Sequence, residues 1–251
     1  MPFTFAHPAV LIPFKYLPSK WYSVTGLIIG ALVPDFEYFF RMKLSSTCSH
    51  TIQGLFLFNL PVAIVLSIVF HLIVKKPLFD NSPHIIQKRL ESFVQLNWTT
   101  HFKNHYIAII MSILIGAFSH IAWDSFTHEH GLMCRKILFL QNDFQMFKFH
   151  APRFKVLQHS STMLGFLAIT YQFLKLPTSS VRKANPDKYF WLIVFVIITL
   201  VVAMKFLTGL SIKQYGNVVV TFISASMIGV LVSALLLFTL QQVTKDNKPY
   251  G

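Results

Sequence analysis

Residues 189–209 read YFWLIVFVIITLVVAMKFLTG and contain a single charged side chain, that of Lys205. An α-helix needs about 20 consecutive apolar residues to cross the hydrocarbon core of a bilayer. This stretch therefore predicts a membrane-spanning helix, and it decides the class of fold. Four further runs predict the same kind of helix, at residues 54–74, 105–123, 160–176 and 218–240.

The composition of the whole chain agrees with a membrane-embedded protein. Of its 251 residues, 54% are hydrophobic and 12% are charged, and the mean hydropathy is +0.56. A soluble domain carries about twice that charged fraction, and a disordered chain is poor in apolar residues. The sequence therefore predicts an all-α, polytopic helical membrane protein with about five spanning helices.

A shorter apolar run, residues 24–33, precedes the first predicted span. It has roughly half of the length that a helix needs to cross a membrane, so we expect a buried or re-entrant helix. The run contains Gly26, Gly30 and Ala31, and small residues let membrane helices approach closely. We therefore expect another helix to pack directly on this run.

The formal net charge is +13, which in a soluble protein would suggest nucleic-acid binding. Here basic residues cluster in the connecting segments, as at Lys75, Lys76, Arg135 and Lys136, where they can meet anionic lipid headgroups. The sequence has no basic stripe interleaved with stacking aromatic residues. We therefore expect membrane lipids as partners and no nucleic acid.

The strongest pattern of polar residues is SHIAWDSFTHEHG, residues 119–131. His120 and Asp124 are four residues apart and His128 follows at the same interval, so the three side chains share one face of a helix. Ionisable groups at membrane depth are costly and mark functional sites. A divalent metal would suit this face, but an imidazole bonded to a carboxylate at a helix end fits the same spacing.

If the run 24–33 does not cross the membrane, further polar residues lie at the same face of the membrane as this helix end. They are His7, Asp35, His50 and the segment around His159. Each has a structural alternative, such as Asp35 favouring a helix N-terminus. A mixed set of imidazoles and carboxylates suits zinc or a similar first-row metal such as manganese or iron, as one ion or as two that share a carboxylate.

The other polar residues predict no site. Histidines at five positions follow no ligand spacing, and we expect them in loops or at the membrane interface: His71, His84, His101, His105 and His150. Cys48 and Cys134 lack metal-site or framework spacing, so we expect free thiols.

Five segments carry a family resemblance: MPFTFAHPA at 1–9, VPDFEYF at 33–39, SHT at 49–51, SHIAWDSFTH at 119–128 and LQHSS at 157–161. In order and spacing they resemble an uncharacterised bacterial membrane family, domain of unknown function 4184. The resemblance covers residues 1–176 and implies one membrane domain there. Residues 177–251 would add two transmembrane helices and a short tail, in a multi-pass protein of the bacterial inner membrane.

More distantly, the order His, Pro-Asp, Ser-His, His-x-x-x-Asp is similar to membrane-bound metal-dependent hydrolases of the YdjM type and to the zinc-dependent phospholipase C core. This likeness implies the metal ligands His7, Asp35, His50, His120 and Asp124, with His128 or His130 as a sixth. Asp35 would be the base or bridging ligand. Met163 stands four residues after His159, where the phospholipase pattern needs Glu, so one or two ions fit better than three.

The first functional hypothesis is an integral membrane enzyme that hydrolyses a lipid-linked or other membrane-proximal ester, above all a phosphoester. Asp35 and Asp124 would be its catalytic carboxylates, which orient or deprotonate a water molecule. The alternative is a non-catalytic membrane protein whose His/Asp cluster is a structural polar network or a structural metal site. Metal or proton transport ranks last, because the ionisable residues are bunched at one face instead of being spread towards the midplane.

Overall fold

The computed structural model of the chain describes residues 3–146, 149–179 and 186–246. Apart from one antiparallel hairpin, the described elements are helical, beginning with a 3-10 segment at Thr4–Tyr16 and including a 3-10 turn at Val33–Asp35. The elements are α1 (Val24–Leu32), α2 (Phe36–Arg41), α3 (Ile52–Asp80), α4 (His84–Gln95), α5 (Trp98–Thr127), α6 (Leu132–Lys136), α7 (Leu138–Gln141), β1 (Asp143–Met146), β2 (Phe149–Pro152), α8 (Arg153–Leu174), α9 (Phe190–Leu207) and α10 (Tyr215–Asp246). The two strands pair with Asp143 opposite Pro152.

Four helical stretches of the described chain are long and apolar enough to cross a membrane: Ile52–Asp80, Trp98–Lys136, Phe190–Leu207 and Tyr215–Thr239. They correspond to α3, to α5 with its continuation through α6, to α9 and to most of α10. Four of the five predicted apolar runs coincide with them. The prediction of a helical protein with helices fit to span a membrane is therefore confirmed.

The fifth predicted run, residues 160–176, lies in α8, which is not among the four stretches. The first two turns of α8 carry Arg153, Lys155 and His159, so the apolar part of the helix is short. The predicted count of five spanning helices is therefore not confirmed. α1 forms where the short run predicts a helix, and its nine residues extend about 14 Å, half of the bilayer core.

α1 packs on α5 through glycines, as the sequence predicts. A Cβ atom on Gly26 would lie 2.9 Å from the Ile109 carbonyl oxygen, and one on Gly30 would lie 2.3 Å from the Ile113 carbonyl oxygen. In the same way, a Cβ atom added to Gly116 of α5 would lie 2.5 Å from the Leu27 carbonyl oxygen of α1. The two backbones therefore touch, and side chains at these positions would force them apart.

The chain forms two compact units. The first comprises Met1–Phe36, Thr47–Val65 and Phe102–Lys175, and the second comprises Glu37–Ser46, Leu66–His101 and Leu176–Gly251. In the first unit the Thr4–Tyr16 segment packs on α1 and α8. Gly165 of α8 allows this approach, because a Cβ atom there would lie 3.0 Å from the Ala6 carbonyl oxygen. The domain boundary predicted at residue 176 remains a prediction, and residues 247–251 of the predicted tail lie outside the described residues.

In the second unit α9 and α10 pack on each other, and the Ser233 hydroxyl donates to the Phe190 carbonyl oxygen at 2.9 Å. His71 lies in a π-helical stretch of α3, is buried, and stacks on Trp98 with ring centroids 4.1 Å apart. It is therefore a buried helix residue, so the prediction of a loop position is wrong, and the alternative prediction of a position at the membrane interface stays a prediction. Cys48 and Cys134 are free thiols, as predicted.

Candidate metal centre

Four separate parts of the first unit bring imidazoles and carboxylates to one place. The N-terminal 3-10 segment supplies His7, and the turn after α1 supplies Asp35. His50 lies two residues before α3, while His120 and Asp124 share one face of α5, as their four-residue spacing predicts. The structure therefore assembles residues that are far apart in sequence.

Four of these residues form the centre of the cluster. One ligand atom from each of Asp35, His50, His120 and Asp124 lies within 4.8 Å of the other three. His50 Nε2 is 3.5 Å from Asp35 Oδ1 and 3.6 Å from Asp124 Oδ2. His120 Nε2 is 3.6 Å from Asp35 Oδ1 and 3.3 Å from Asp124 Oδ2. The four residues could therefore hold a metal ion.

Several polar atoms of the cluster are buried without a hydrogen bond. Asp35 and His120 are fully buried, and His7 and Asp124 are nearly so. Within the described part of the chain, no hydrogen-bond partner meets His120 Nε2, Asp35 Oδ1, His7 Nε2 or Asp124 Oδ1. A buried polar atom left in this state costs about 1–3 kcal/mol. Four such atoms close together are compatible with a metal ion held by this cluster.

Three groups of the cluster that lie outside the membrane-spanning stretches, Asp35, His7 and His50, have shifted pKa values. Burial would raise the pKa of Asp35, but the charge of the adjacent His120 outweighs burial and holds that pKa well below its usual range. Burial lowers the pKa of His7 to about 3. Burial also opposes protonation of His50, but the carboxylates of Asp124 and Asp35 raise its pKa above the ordinary value. Asp35 and His7 are thus in the carboxylate and neutral imidazole forms that bind metals.

A second layer of contacts orients the ring nitrogens and carboxylate oxygens. His120 Nδ1 donates to the Ala31 carbonyl oxygen at 2.7 Å, and the Ser49 hydroxyl is 3.0 Å from His50 Nδ1. The Thr4 hydroxyl donates to Asp35 Oδ2. Because these contacts engage Nδ1 and Oδ2, they leave Nε2 of the two imidazoles and Oδ1 of Asp35 facing the cluster. Metal-binding histidines are held by partners of this kind in known sites.

A family model described as a domain of unknown function, DUF4184, matches residues 1–235. The chain belongs to this family. No curated protein and no solved structure matches the chain. The family match continues past residue 176 into α10, and the family description carries no activity. The likeness to YdjM-type hydrolases has no support among these matches.

Two further predicted ligands of the DUF4184 chain lie beside Asp124. His7 Nε2 is 3.5 Å from Asp124 Oδ1, and the His7 ring stacks on His120 with centroids 3.7 Å apart. His128 Nδ1 is 3.6 Å from the same Oδ1 and 3.0 Å from the Asp124 carbonyl oxygen. The structure therefore gathers all six predicted ligands, although their roles as ligands stay predictions. His130 and His159 are exposed and lie outside the four-residue group.

Sequence analysis misses the residues that orient the ligands. Asn59 is fully buried, and its side-chain Nδ2 donates to the Ser49 carbonyl oxygen at 2.8 Å. Asn59 closes a π-helical stretch, Leu55–Asn59, and such stretches are frequent at functional sites. Thr4 lies in the quoted segment 1–9 but has no ligand chemistry. The pattern of side chains in the sequence cannot identify the Ala31 carbonyl, because it is a backbone group.

Proposed function

We propose that this protein is an integral membrane hydrolase of the bacterial inner membrane that uses a divalent metal to cleave a membrane-proximal ester or phosphoester. The observation that carries the proposal is the geometry of Asp35, His50, His120 and Asp124. Their buried ligand atoms face one another at distances too long for charge-assisted hydrogen bonds, which measure about 2.7–2.9 Å. A metal site accounts for this arrangement.

Four of the distances between ligand atoms are compatible with zinc. Zinc–nitrogen and zinc–oxygen bonds of about 2.0–2.2 Å place neighbouring tetrahedral ligands about 3.3–3.6 Å apart. The four nitrogen–oxygen separations in the group are 3.5, 3.6, 3.6 and 3.3 Å. Octahedral ligands at the same bond lengths would lie about 2.8–3.1 Å apart. Manganese and iron remain compatible with the imidazole and carboxylate donors.

Different residues of the chain would have different roles in such a centre. When bound, the metal would supply a Lewis acid that lowers the pKa of water towards neutrality. His50 and His120 would hold the metal through Nε2, and the Thr4 hydroxyl holds Asp35 with Oδ1 directed inward. Asp124 retains 8% side-chain exposure, against none for Asp35, so Asp124 is the better placed carboxylate to accept a proton. Asp35 is the deeper ligand.

The surroundings of the centre support a membrane-bound substrate. His120 and Asp124 lie towards the end of the membrane-compatible stretch Trp98–Lys136, and Arg135 and Lys136 are exposed at that end. Basic side chains beside a membrane attract anionic headgroups. A lipid-linked ester or phosphoester therefore fits the site better than a soluble substrate.

The proposed topology includes α8 as a fifth membrane helix and α1 as a re-entrant helix. Apolar side chains on one side of α8, such as Met163, Leu164 and Leu167, are 61%, 65% and 61% exposed. Lipid contact would cover this face. α1 is too short to cross the membrane, and its glycine contact with α5 suits a helix that enters and leaves on the same side.

One observation favours the non-catalytic alternative. Four protein ligands complete a tetrahedron, and structural zinc sites are closed in this way, whereas catalytic zinc sites use three protein ligands. A single ion held by Asp35, His50, His120 and Asp124 would therefore suit a structural metal site. The number of metal ions in the centre would distinguish a hydrolase from a structural metal site.

The first experiment measures metal in the detergent-purified protein by elemental mass spectrometry. We expect stoichiometric zinc in the wild type, its loss in the His120→Ala/Asp124→Ala double variant, and its retention in the control His130→Ala. Gel filtration and thermal unfolding establish that each variant is folded. Metal that persists in a folded double variant, or a wild type that binds none after zinc is added, contradicts the proposal. A screen of ester and phosphoester substrates then tests hydrolysis.

A further inference from the structure

We infer that a cavity at one end of α5, away from the metal centre, binds the phosphate headgroup of an anionic phospholipid. The cavity has a volume of about 370 Å³, within the range of about 300–1,000 Å³ that small-molecule sites occupy. Lys20 and Trp21, in a 3-10 turn before α1, line one wall. Residues between Asn104 and Met111, at the start of α5, line the other wall. Both walls belong to the first unit.

The cavity is remote from the residues that carry the proposed function. Tyr106 lines the cavity and His120 belongs to the metal centre, and both lie on α5. The 14 helical steps between these two residues, at a rise of 1.5 Å each, correspond to about 21 Å. A headgroup in the cavity therefore does not contact the metal centre, and this inference is independent of the proposed hydrolase activity.

A kink in α5 leaves this end of the helix open. His105 has φ −135° and ψ 26°, whereas α-helical residues have φ of about −63° and ψ of about −42°. The five residues 103–107, which surround the kink, are all exposed. Five successive residues cover more than one full turn of about 3.6 residues, so every side of α5 is accessible at this level. The start of α5 can therefore contact a ligand from outside the chain.

The lining of the cavity is suited to a phosphate group. Lys20 supplies an ammonium group, and Asn104 supplies an amide that can donate a hydrogen bond. Among the described residues that line the cavity, none is acidic. Residues 1–34 and 92–123, which include both walls, contain no Asp or Glu at all. Because no nearby carboxylate in these segments neutralises the lysine, its charge is available to an anion, and lysine is a common phosphate-binding residue.

The apolar part of the lining favours a phospholipid over a free phosphate ion. Trp21 and Tyr106 are both more than half exposed, and such amphipathic rings are enriched at the membrane–water interface. Ile107 and Met111 lie one turn apart on the same face of α5 and are at least half exposed. Acyl chains would cover this apolar face, whereas a free phosphate ion would leave it uncovered. The combination of a cationic wall and an apolar face therefore fits a phospholipid.

The test measures lipid binding to the full chain in detergent. Phosphatidylglycerol is titrated into the purified protein, and retained lipid is counted by native mass spectrometry, with phosphatidylcholine of the same acyl chains for comparison. We expect one phosphatidylglycerol to bind at least about tenfold more tightly than phosphatidylcholine, since a hydrogen bond to a charged group is worth about that factor or more. The bound lipid should also raise the temperature of thermal unfolding, because it binds the folded state.

Variants locate the lipid in the cavity. We expect Lys20→Gln and Trp21→Ala each to weaken phosphatidylglycerol binding about tenfold, and Lys20→Arg to retain it. Both side chains are exposed, so these variants should keep the fold. Lys103→Gln is the matched control, because it removes the same charge from the same end of α5 at an exposed position that does not line the cavity. Its affinity should stay within about twofold of the wild type.

Three outcomes would overturn the inference. Equal binding of the two lipids would show that the headgroup charge is not recognised. Equal weakening by Lys103→Gln and Lys20→Gln would show a diffuse attraction of charges without a defined site. Displacement of phosphatidylglycerol by an equal concentration of inorganic phosphate would show an anion site that does not require a lipid. Chelator-treated, metal-free protein should bind phosphatidylglycerol as the wild type does, so a failure of the proposed function is distinguished from a failure of this site.

Discussion

Replacing Gly30 by alanine would test the link between the α1–α5 contact and the metal centre. The added Cβ would lie 2.3 Å from the Ile113 carbonyl oxygen, whereas carbon–oxygen contacts settle at about 3.3–3.6 Å. α1 must therefore withdraw by about 1 Å. Ala31, the next residue, accepts the 2.7 Å hydrogen bond from His120 Nδ1, so the same movement breaks that bond.

The expected cost has two parts. Overpacking of a tight contact costs about 1–3 kcal/mol, and leaving the buried His120 donor unsatisfied costs about 1–3 kcal/mol. We therefore expect Gly30→Ala to lower the free energy of unfolding by about 2–6 kcal/mol, a large share of the roughly 5–15 kcal/mol that stabilises a typical domain. Because His120 loses its orienting partner, zinc affinity should fall about 10–100-fold.

The assay is thermal unfolding in detergent together with zinc competition against a chelator. Ile28→Ala is the matched control, since Ile28 lies on the same helix and is 42% exposed. We expect Ile28→Ala to retain wild-type zinc affinity and most of the stability. If Gly30→Ala matches Ile28→Ala in both measurements, the glycine contact does not support the centre.

Three further predictions concern the ligands and the topology. Thr4→Val should weaken zinc binding about 10–100-fold in chelator competition, because Asp35 loses the hydroxyl that holds its Oδ2. Thr4→Ser should restore the zinc affinity. Equal affinities in the wild type and both variants would contradict this role of Thr4. Lowering the pH from 7 to 5 should release zinc during dialysis, since imidazoles with an ordinary pKa of about 6.5 become protonated and the Asp124 and Asp35 carboxylates raise the pKa of His50 further. Unchanged zinc content at pH 5 would argue against imidazole ligands. Reporters fused after residue 90 and after residue 142 should lie on opposite sides of the membrane, because the stretch Trp98–Lys136 separates them; reporters on one side would contradict the topology.

The sequence alone predicts the helical class and the members of the cluster. His120, Asp124 and His128 follow from helical spacing, and Asp35 and His50 follow once the short run is read as a helix that does not cross. These inferences succeed because they depend on local periodicity and on the length that a bilayer requires. The glycine contact of α1 follows from its small residues, which let membrane helices approach closely.

The remaining features depend on tertiary contacts that spacing does not encode. The hydrogen bond from His120 to the Ala31 carbonyl joins two distant helices, and a backbone carbonyl is common to every residue. His71 appears isolated in sequence, and only the packing of Trp98 shows that it is buried. α8 is helical as predicted, but the polar residues of its first turns keep it outside the four spanning stretches.

The order of the proposed ligands along the chain would link metal loading to biosynthesis. His7, Asp35 and His50 are made before the helix that carries His120 and Asp124. During insertion the first three residues are therefore present before their partners. α5 then supplies His120, which binds the Ala31 carbonyl, together with Asp124 and the glycine surface on which α1 packs. Arrival of this one helix completes the group of residues that could hold a metal ion, whereas the packing of the first unit also needs α8, which follows later in the chain.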